Sequence, residues 1–261
     1  MLNIICITMK KSTALLCLFS MYFLFASAQN QGIHSHNDFH RNVPFWKAYA
    51  AGAASIEADV FLINDTLFVA HQRHQIQPQR TLESLYLNPI RLIFEDQLMA
   101  ARPFQLLIDV KTEAYATLDR VVEELLPLQQ HLYPNNPEGV RVVISGSRPR
   151  SSSFANYPNF IFFDWQSTDR PDNLDRVAMV SLDFMNFSLW RGNRMMNNEE
   201  RTQVQTVIAA MKQFGKPIRF WGAPDTPLAW MTLFRMGVDF IGTGRPDEAM
   251  FFLQSFQEYL P

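Results

Sequence analysis

Short apolar runs that end in or near an ionisable residue recur along this chain, and stretches with helical spacing separate them. Residues 32–35, 54–62, 104–111, 140–145, 159–163, 179–184, 217–221 and 238–241 read as strands. Helical spacing falls over 44–52, 81–86, 89–99, 117–131, 199–214 and 228–236. Asn64-Asp65 makes a turn, from which 67–70 returns as a brief extra strand toward His71. The eight main strands, most of them followed by a helix, give the α/β pattern of a single (β/α)8 TIM barrel. The fourth connection is the weak one, because Ser151-Ser152-Ser153-Phe154 is a poor helix former.

The first 28 residues fall outside that pattern. Lys10 and Lys11 precede an apolar run over 15–25, and Ala26-Ser27-Ala28 has the small-x-small form of a cleavage site. Residues 1–28 are therefore expected to be a signal peptide, and 29–261 the barrel domain. Met9 is an alternative start, since Met9-Lys10-Lys11 opens a more usual leader. Cys6 and Cys17 both lie in this leader, so the mature chain has no thiol for a disulfide, a metal site or a nucleophile. Export to a periplasm or to the outside fits a disulfide-free chain of this kind. Cleavage removes two lysines and no acid from a chain of formal charge −2, leaving it mildly acidic with no basic block. That excludes nucleic acid as the expected partner. A monomer is expected.

In a barrel, chemistry sits at the C-terminal ends of the strands. His34, Glu57, Asp59, Asp109, Lys111, Ser145, Asp164, Asp183 and Trp221 all lie at or near such ends. Glu57 and Asp59 are two apart on one strand and share a face, while Ile56, Ala58, Val60 and Leu62 make the other face apolar. Two carboxylates side by side on a buried strand are costly to desolvate, and a divalent cation between them removes that cost. Asp109 and Lys111 repeat the spacing: a third carboxylate ligand with a point charge for an anionic oxygen, or an internal salt bridge.

His34 and His71 bracket the acids and suit proton transfer near neutral pH. His36 shares a face with His34 in an extended segment, and His40 is close, so direction does not separate the candidates. Asn37 offers an amide to a metal or a phosphate, or forms a turn with Asp38. Ser145-Gly146-Ser147-Arg148 either holds an anion or is a plain turn, and Trp221 either walls a pocket or packs in the core. Asp164 and Asp183 are further pocket candidates. His74 and His131 are read as surface residues.

At these positions the chain resembles the glycerophosphodiester phosphodiesterase and phosphatidylinositol-phospholipase-C-like superfamily, in particular the branch of altered inheritance of mitochondria protein six. The resemblance is carried by His34-Ser35-His36-Asn37-Asp38, Ser55-Ile56-Glu57-Ala58-Asp59-Val60 and Leu67-Phe68-Val69-Ala70-His71. It continues in residues 80–89, in Ile108-Asp109-Val110-Lys111 and in Trp221-Gly222-Ala223-Pro224-Asp225. The resemblance implies one Mg2+ or Ca2+ on Glu57, Asp59 and Asp109, His34 and His71 as the acid/base pair, and Lys111 on the phosphate. A spacing like His34-x-x-Asn37 in spider-venom phospholipase D relatives favours His34 over His36. Where relatives often read Thr-Asp after the last strand, this chain has Thr243-Gly244-Arg245, which puts a polar role there in doubt.

The function expected is metal-dependent cleavage of a glycerophosphodiester or phospholipid-type diester, with Asn37 and Trp221 joining Lys111 at the substrate. The substrate is a small molecule or a lipid, the latter with peripheral membrane contact. The alternatives are a barrel that binds a phospholipid headgroup or glycan without turnover, and a metal-dependent sugar isomerase or hydrolase on the same fold.

Overall fold

The computed structural model describes residues 32–257. The expected signal peptide lies outside the described residues. Nine strands form one sheet: β1 (Gly32–Ser35), β2 (Ser55–Ile63), β3 (Thr66–Val69), β4 (Phe104–Val110), β5 (Val140–Gly146), β6 (Ile161–Trp165), β7 (Val177–Asp183), β8 (Ile218–Trp221) and β9 (Phe240–Thr243). All pair in parallel except β3, which returns antiparallel along the end of β2, with Val60 opposite Val69. β1 pairs with β9 on one side and with β2 on the other, so the eight parallel strands close into the expected barrel.

The strand faces divide the apolar residues into two cores. Ile56, Ala58 and Val60 on β2, Leu106 and Ile108 on β4, and Val142 and Ile144 on β5 face outward and are buried under the helices. Leu107, Val143 and Met179, with Phe162 and Phe240 against them, form a small separate cluster on the opposite faces of their strands. They plug the barrel interior below the rim. Strands covered on both sides need apolar residues on both sides. The polar residues that interrupt the inward positions near the strand ends are therefore the site.

The helices are α1 (Trp46–Ala50), α2 (Asn88–Phe94), α3 (Ala114–Leu125), α4 (Asn198–Lys212), α5 (Pro227–Arg235) and α6 (Pro246–Gln257). Several are shorter than their spacing predicts. α2 stops at Phe94 rather than at 99, and Pro127 ends α3, after which 126–131 continue as a tighter 3-10 turn. α4 begins with a reciprocal cap, Asn197 accepting from the Glu200 N–H and Glu200 from the Asn197 N–H. As its serines suggest, the fourth connection carries only a 3-10 turn, Ser151–Asn156. α6 has no counterpart in the expected set.

Candidate active site

Strand register sets the site. Asp59 of β2 lies beside Asp109 of β4, and Asp109 beside Ser145 of β5. Oxygens of Glu57, Asp59 and Asp109 all come within 4.8 Å of one another. They open on a cavity of about 570 Å3 that is also lined by His36, Asn37, His71, Lys111, Asp164, Arg219 and Trp221. Gly146 makes room for this cluster: its backbone is left-handed, at φ +66°, and a Cβ there would collide with Asp109 Oδ1 and the Val110 backbone. The Ser145-Gly146 turn thus shapes the acid pocket.

Charge in the cluster is unevenly shared. Burial works against ionised Glu57, but the Arg219 guanidinium (Nη2 to Oε2, 2.9 Å) and His34 (Nε2 to Oε2, 2.8 Å) outweigh it and hold the carboxyl well below its usual range. Asp59 goes the other way. Burial, then the negative charge of Glu57, push it up to about 8 despite Lys111 Nζ at 3.0 Å. Asp109 is also raised, chiefly by burial, with Lys111 Nζ 3.2 Å away opposing the shift.

These observations fit a divalent cation. Asp59 Oδ1 and Asn37 Oδ1 are buried side-chain oxygens without a hydrogen-bond partner among the described residues. With all three carboxylates ionised against Lys111 and Arg219, the cluster carries one net negative charge. A hard divalent cation would take the orphaned oxygens as ligands and reverse that sign. Asn37 has a left-handed backbone, at φ 50°, a conformation that asparagine tolerates. It thus sits in a turn with Asp38 and also lines the cavity.

The histidines separate in a way the sequence leaves open. His34 is fully buried and does not line the cavity. A carboxylate only accepts, so His34 Nε2–H donates to Glu57 Oε2. Burial, then the Arg219 charge, lower its pKa to about 4, so Nδ1 is unprotonated and accepts from Ser55 Oγ at 2.8 Å. Gln105 Nε2 in turn donates to Ser55 Oγ at 2.9 Å. Both nitrogens of His34 are engaged beneath the site, so the structure sets this residue below the cavity rather than on its wall. His36, one layer higher, lines the cavity with Nε2 3.7 Å from Glu57 Oε1. His71 stands at the cavity edge, its Nδ1 donating to Asp59 Oδ2 at 3.1 Å.

Of the other candidates, Lys111 and Trp221 line the cavity, and Trp221 is partly exposed at its mouth. Asp164 also lines it, accepting from Ser145 Oγ at 2.8 Å, and burial raises its pKa. Asp183 instead caps the turn after β7 through the Met185 N–H. Asp225 accepts from Thr243 Oγ1, the Gly244 N–H and Trp230 Nε1, so the Thr243-Gly244-Arg245 departure ends in a clasp between the last two strands' loops. Sequence reading missed Arg219. Its signal was a cation two residues before Trp221 on a short strand, hence on the inward face.

The fold and this cavity define a β/α barrel with a polar, acid-rich rim. The AIM6-like phosphodiesterase domain matches residues 24–103 of the chain. The altered inheritance of mitochondria protein 6 homolog of Arthroderma benhamiae is 27% identical over 79% of this chain and 78% of its own length. The altered inheritance of mitochondria protein 6 of Eremothecium gossypii is 27% identical, and this chain spans 66% of its length. A glycerophosphodiester phosphodiesterase from Parabacteroides distasonis superposes with a TM-score of 0.57 at 15% identity, covering 87% of this chain and 96% of that one. A Ca2+-dependent phosphatidylinositol-specific phospholipase C from Streptomyces antibioticus gives 0.56 at 11% identity, covering 86% and 98%. The resemblance read from the sequence is borne out: the chain is similar to AIM6-like phosphodiesterases and shares its fold with these two enzymes.

Proposed function

We propose that the chain is a metal-dependent phosphodiesterase that cleaves a glycerophosphodiester or a phospholipid-type diester. The observation that carries this reading is the convergence of Glu57, Asp59 and Asp109 in one cavity with His36, His71, Lys111 and Arg219. Glu57, Asp59 and Asp109 would hold one Mg2+ or Ca2+, with Asn37 available as a neutral oxygen ligand. The ion supplies charge neutralisation for the non-bridging phosphate oxygens. The fold shared with a Ca2+-dependent phospholipase C and with a glycerophosphodiester phosphodiesterase supports the choice of substrate class.

The protein's own groups then divide the work. Lys111 is the point charge shared by Asp59 and Asp109 and turns to a phosphate oxygen when those acids are neutralised. Arg219 is already committed to Glu57 Oε2, so that oxygen is saturated by two donors and Oε1 is the free one. Burial, more than the opposing Glu57 charge, lowers the pKa of His36. His36 is therefore unprotonated at neutral pH and takes the proton of the attacking hydroxyl, whether from substrate or from water. His71, with Nδ1–H fixed on Asp59, acts as the general acid when Nε2 is also protonated, giving the Nε2 proton to the leaving oxygen and remaining as the neutral imidazole. His34, the first choice from sequence, positions Glu57 instead. Trp221 walls the substrate.

Export is part of the proposal, supported by the composition of residues 1–28. Contact with a lipid surface is supported by exposed Met185, Leu189 and Met195 in the segment after β7. Screening purified protein against phosphodiesters, phosphomonoesters and sugars, with the metal varied, tests the function. Turnover confined to diesters is expected. Turnover of a sugar without phosphate overturns the reading.

A further inference from the structure

A second polar cavity, of about 530 Å3, adjoins the first, and His71 lines both. Its cationic candidates are His40, Arg41 and Arg80, its neutral polar ones Asn42, Gln75 and Gln77, and no carboxylate lines it. Arg41 is answered by buried Asp38, Nε to Oδ1 at 3.2 Å. Arg80 is not answered: its guanidinium donates to the Phe39 carbonyl and has no carboxylate within ion-pair distance among the described residues. The Arg80 carbonyl accepts from the Val69 N–H at 2.8 Å, so the backbone that carries this charge is tied to β3. The His40 ring meets the His71 ring edge-on, 5.9 Å between centroids. Partial desolvation of its ring, then the charges of His71 and Arg80, lower the pKa of His40, leaving it a neutral N–H donor on the same cavity as the guanidinium.

An uncompensated guanidinium, an imidazole N–H and side-chain amides around one concave space form a recognition set for a small anion. Phe39, Val69 and Ala70 complete the lining as an apolar wall, and no carboxylate is present to answer a cationic group. Sharing His71 places this space on the side of the reacting phosphate where a proton is returned to an alcohol oxygen. We propose that the cavity is a second anion subsite, taking a phosphate or carboxylate carried by the alcohol half of the substrate that lies against His71. The proposal rests on the diester reading above and narrows it: the preferred substrate bears a second anionic group besides the scissile diester.

Two substrates that differ only in that group test it: glycerophosphoglycerol, and the same diester with a terminal phosphate. The wild-type protein favours the phosphorylated diester at least about tenfold in kcat/KM, expressed in KM, as a bidentate charge-assisted contact requires. Arg80→Gln brings the ratio of the two constants close to one, Arg80→Lys gives an intermediate ratio, and His40→Gln, at an exposed ring, lowers it less. A wild-type ratio of one, or a ratio unchanged in Arg80→Gln, overturns the subsite. Calorimetric binding of glycerol bisphosphate against glycerol 3-phosphate gives the same comparison without turnover. If neither diester reacts, the diester reading fails and binding alone decides: tighter bisphosphate binding lost in Arg80→Gln supports the subsite, and equal binding overturns it.

Discussion

His34 Nε2 lies 2.8 Å from Glu57 Oε2, with His34 sealed beneath the cavity that Glu57 lines. The contact completes a line of donors, from Gln105 through Ser55 to His34, that ends on the carboxylate from below while Arg219 reaches the same oxygen. A carboxylate fixed this way keeps one orientation and one free oxygen. Supporting hydrogen bonds of this kind typically set the affinity of a metal site.

The imidazole in that line makes the fold sensitive to acid. Its pKa in the folded protein is about 4, against an ordinary value of 6.5. Below pH 6.5 the unfolded chain takes up a proton that folded His34 refuses until about pH 4. The contribution of His34 to stability is thus complete above 6.5 and lost as the pH falls through that window, by about 3 kcal/mol. His34→Gln keeps an N–H for Glu57 and does not titrate. Denaturant unfolding from pH 7 to pH 4 should show wild type losing stability relative to this variant, and parallel curves would refute the assignment.

The two adjacent histidines should also separate in kinetics. His36→Asn removes the group at the cavity wall and is expected to cost about 10^2–10^4-fold in kcat with little change in ion affinity. His34→Gln should instead weaken the ion by about tenfold or more, as loss of a supporting contact does, and be partly rescued by excess metal. Rescue of His36→Asn by metal, with His34→Gln inert to it, would reverse the roles.

Gly146 gives a test that removes no functional group. Gly146→Ala adds one methyl group at a left-handed position against Asp109 Oδ1. The variant should lose about 1–3 kcal/mol of stability from the backbone alone. It should also bind the divalent ion more weakly in calorimetry, because Asp109 must move. Wild-type ion affinity in a folded Gly146→Ala protein would show that Asp109 is not a ligand.

The barrel and the acid cluster were legible because the signals are local. Strict alternation on 54–62 turns Glu57 and Asp59 to one face, and strand ends in a closed parallel barrel share one rim. The choice between His34 and His36 was not legible. Both face inward, and only the stagger between β1 and β2, His34 beside Ser55, puts one of them a layer too deep. Arg219 was missed for a similar reason, since its partner Glu57 is distant in sequence and the pairing exists only once the barrel closes. Asp38 and Tyr86 show the same limit. They stand in two of the motifs that carry the family resemblance, yet their visible work is structural: the Tyr86 hydroxyl donates to Asp38, and Asp38 accepts the Phe45 N–H. α2 stops short of its expected end because residues 95–100 are all exposed and offer no buried face along which the helix could extend.

The most direct measurement is turnover of a glycerophosphodiester by the purified protein under chelation, with Mg2+ or Ca2+ restored afterwards and Glu57→Gln and Asp59→Asn run alongside. The account predicts that EDTA abolishes the reaction, that one of the two ions restores it, and that each variant falls by about 10^2-fold or more even with metal present. Turnover that survives EDTA unchanged, or variants that match wild type, would contradict a cation held by Glu57, Asp59 and Asp109 as the centre of the chemistry.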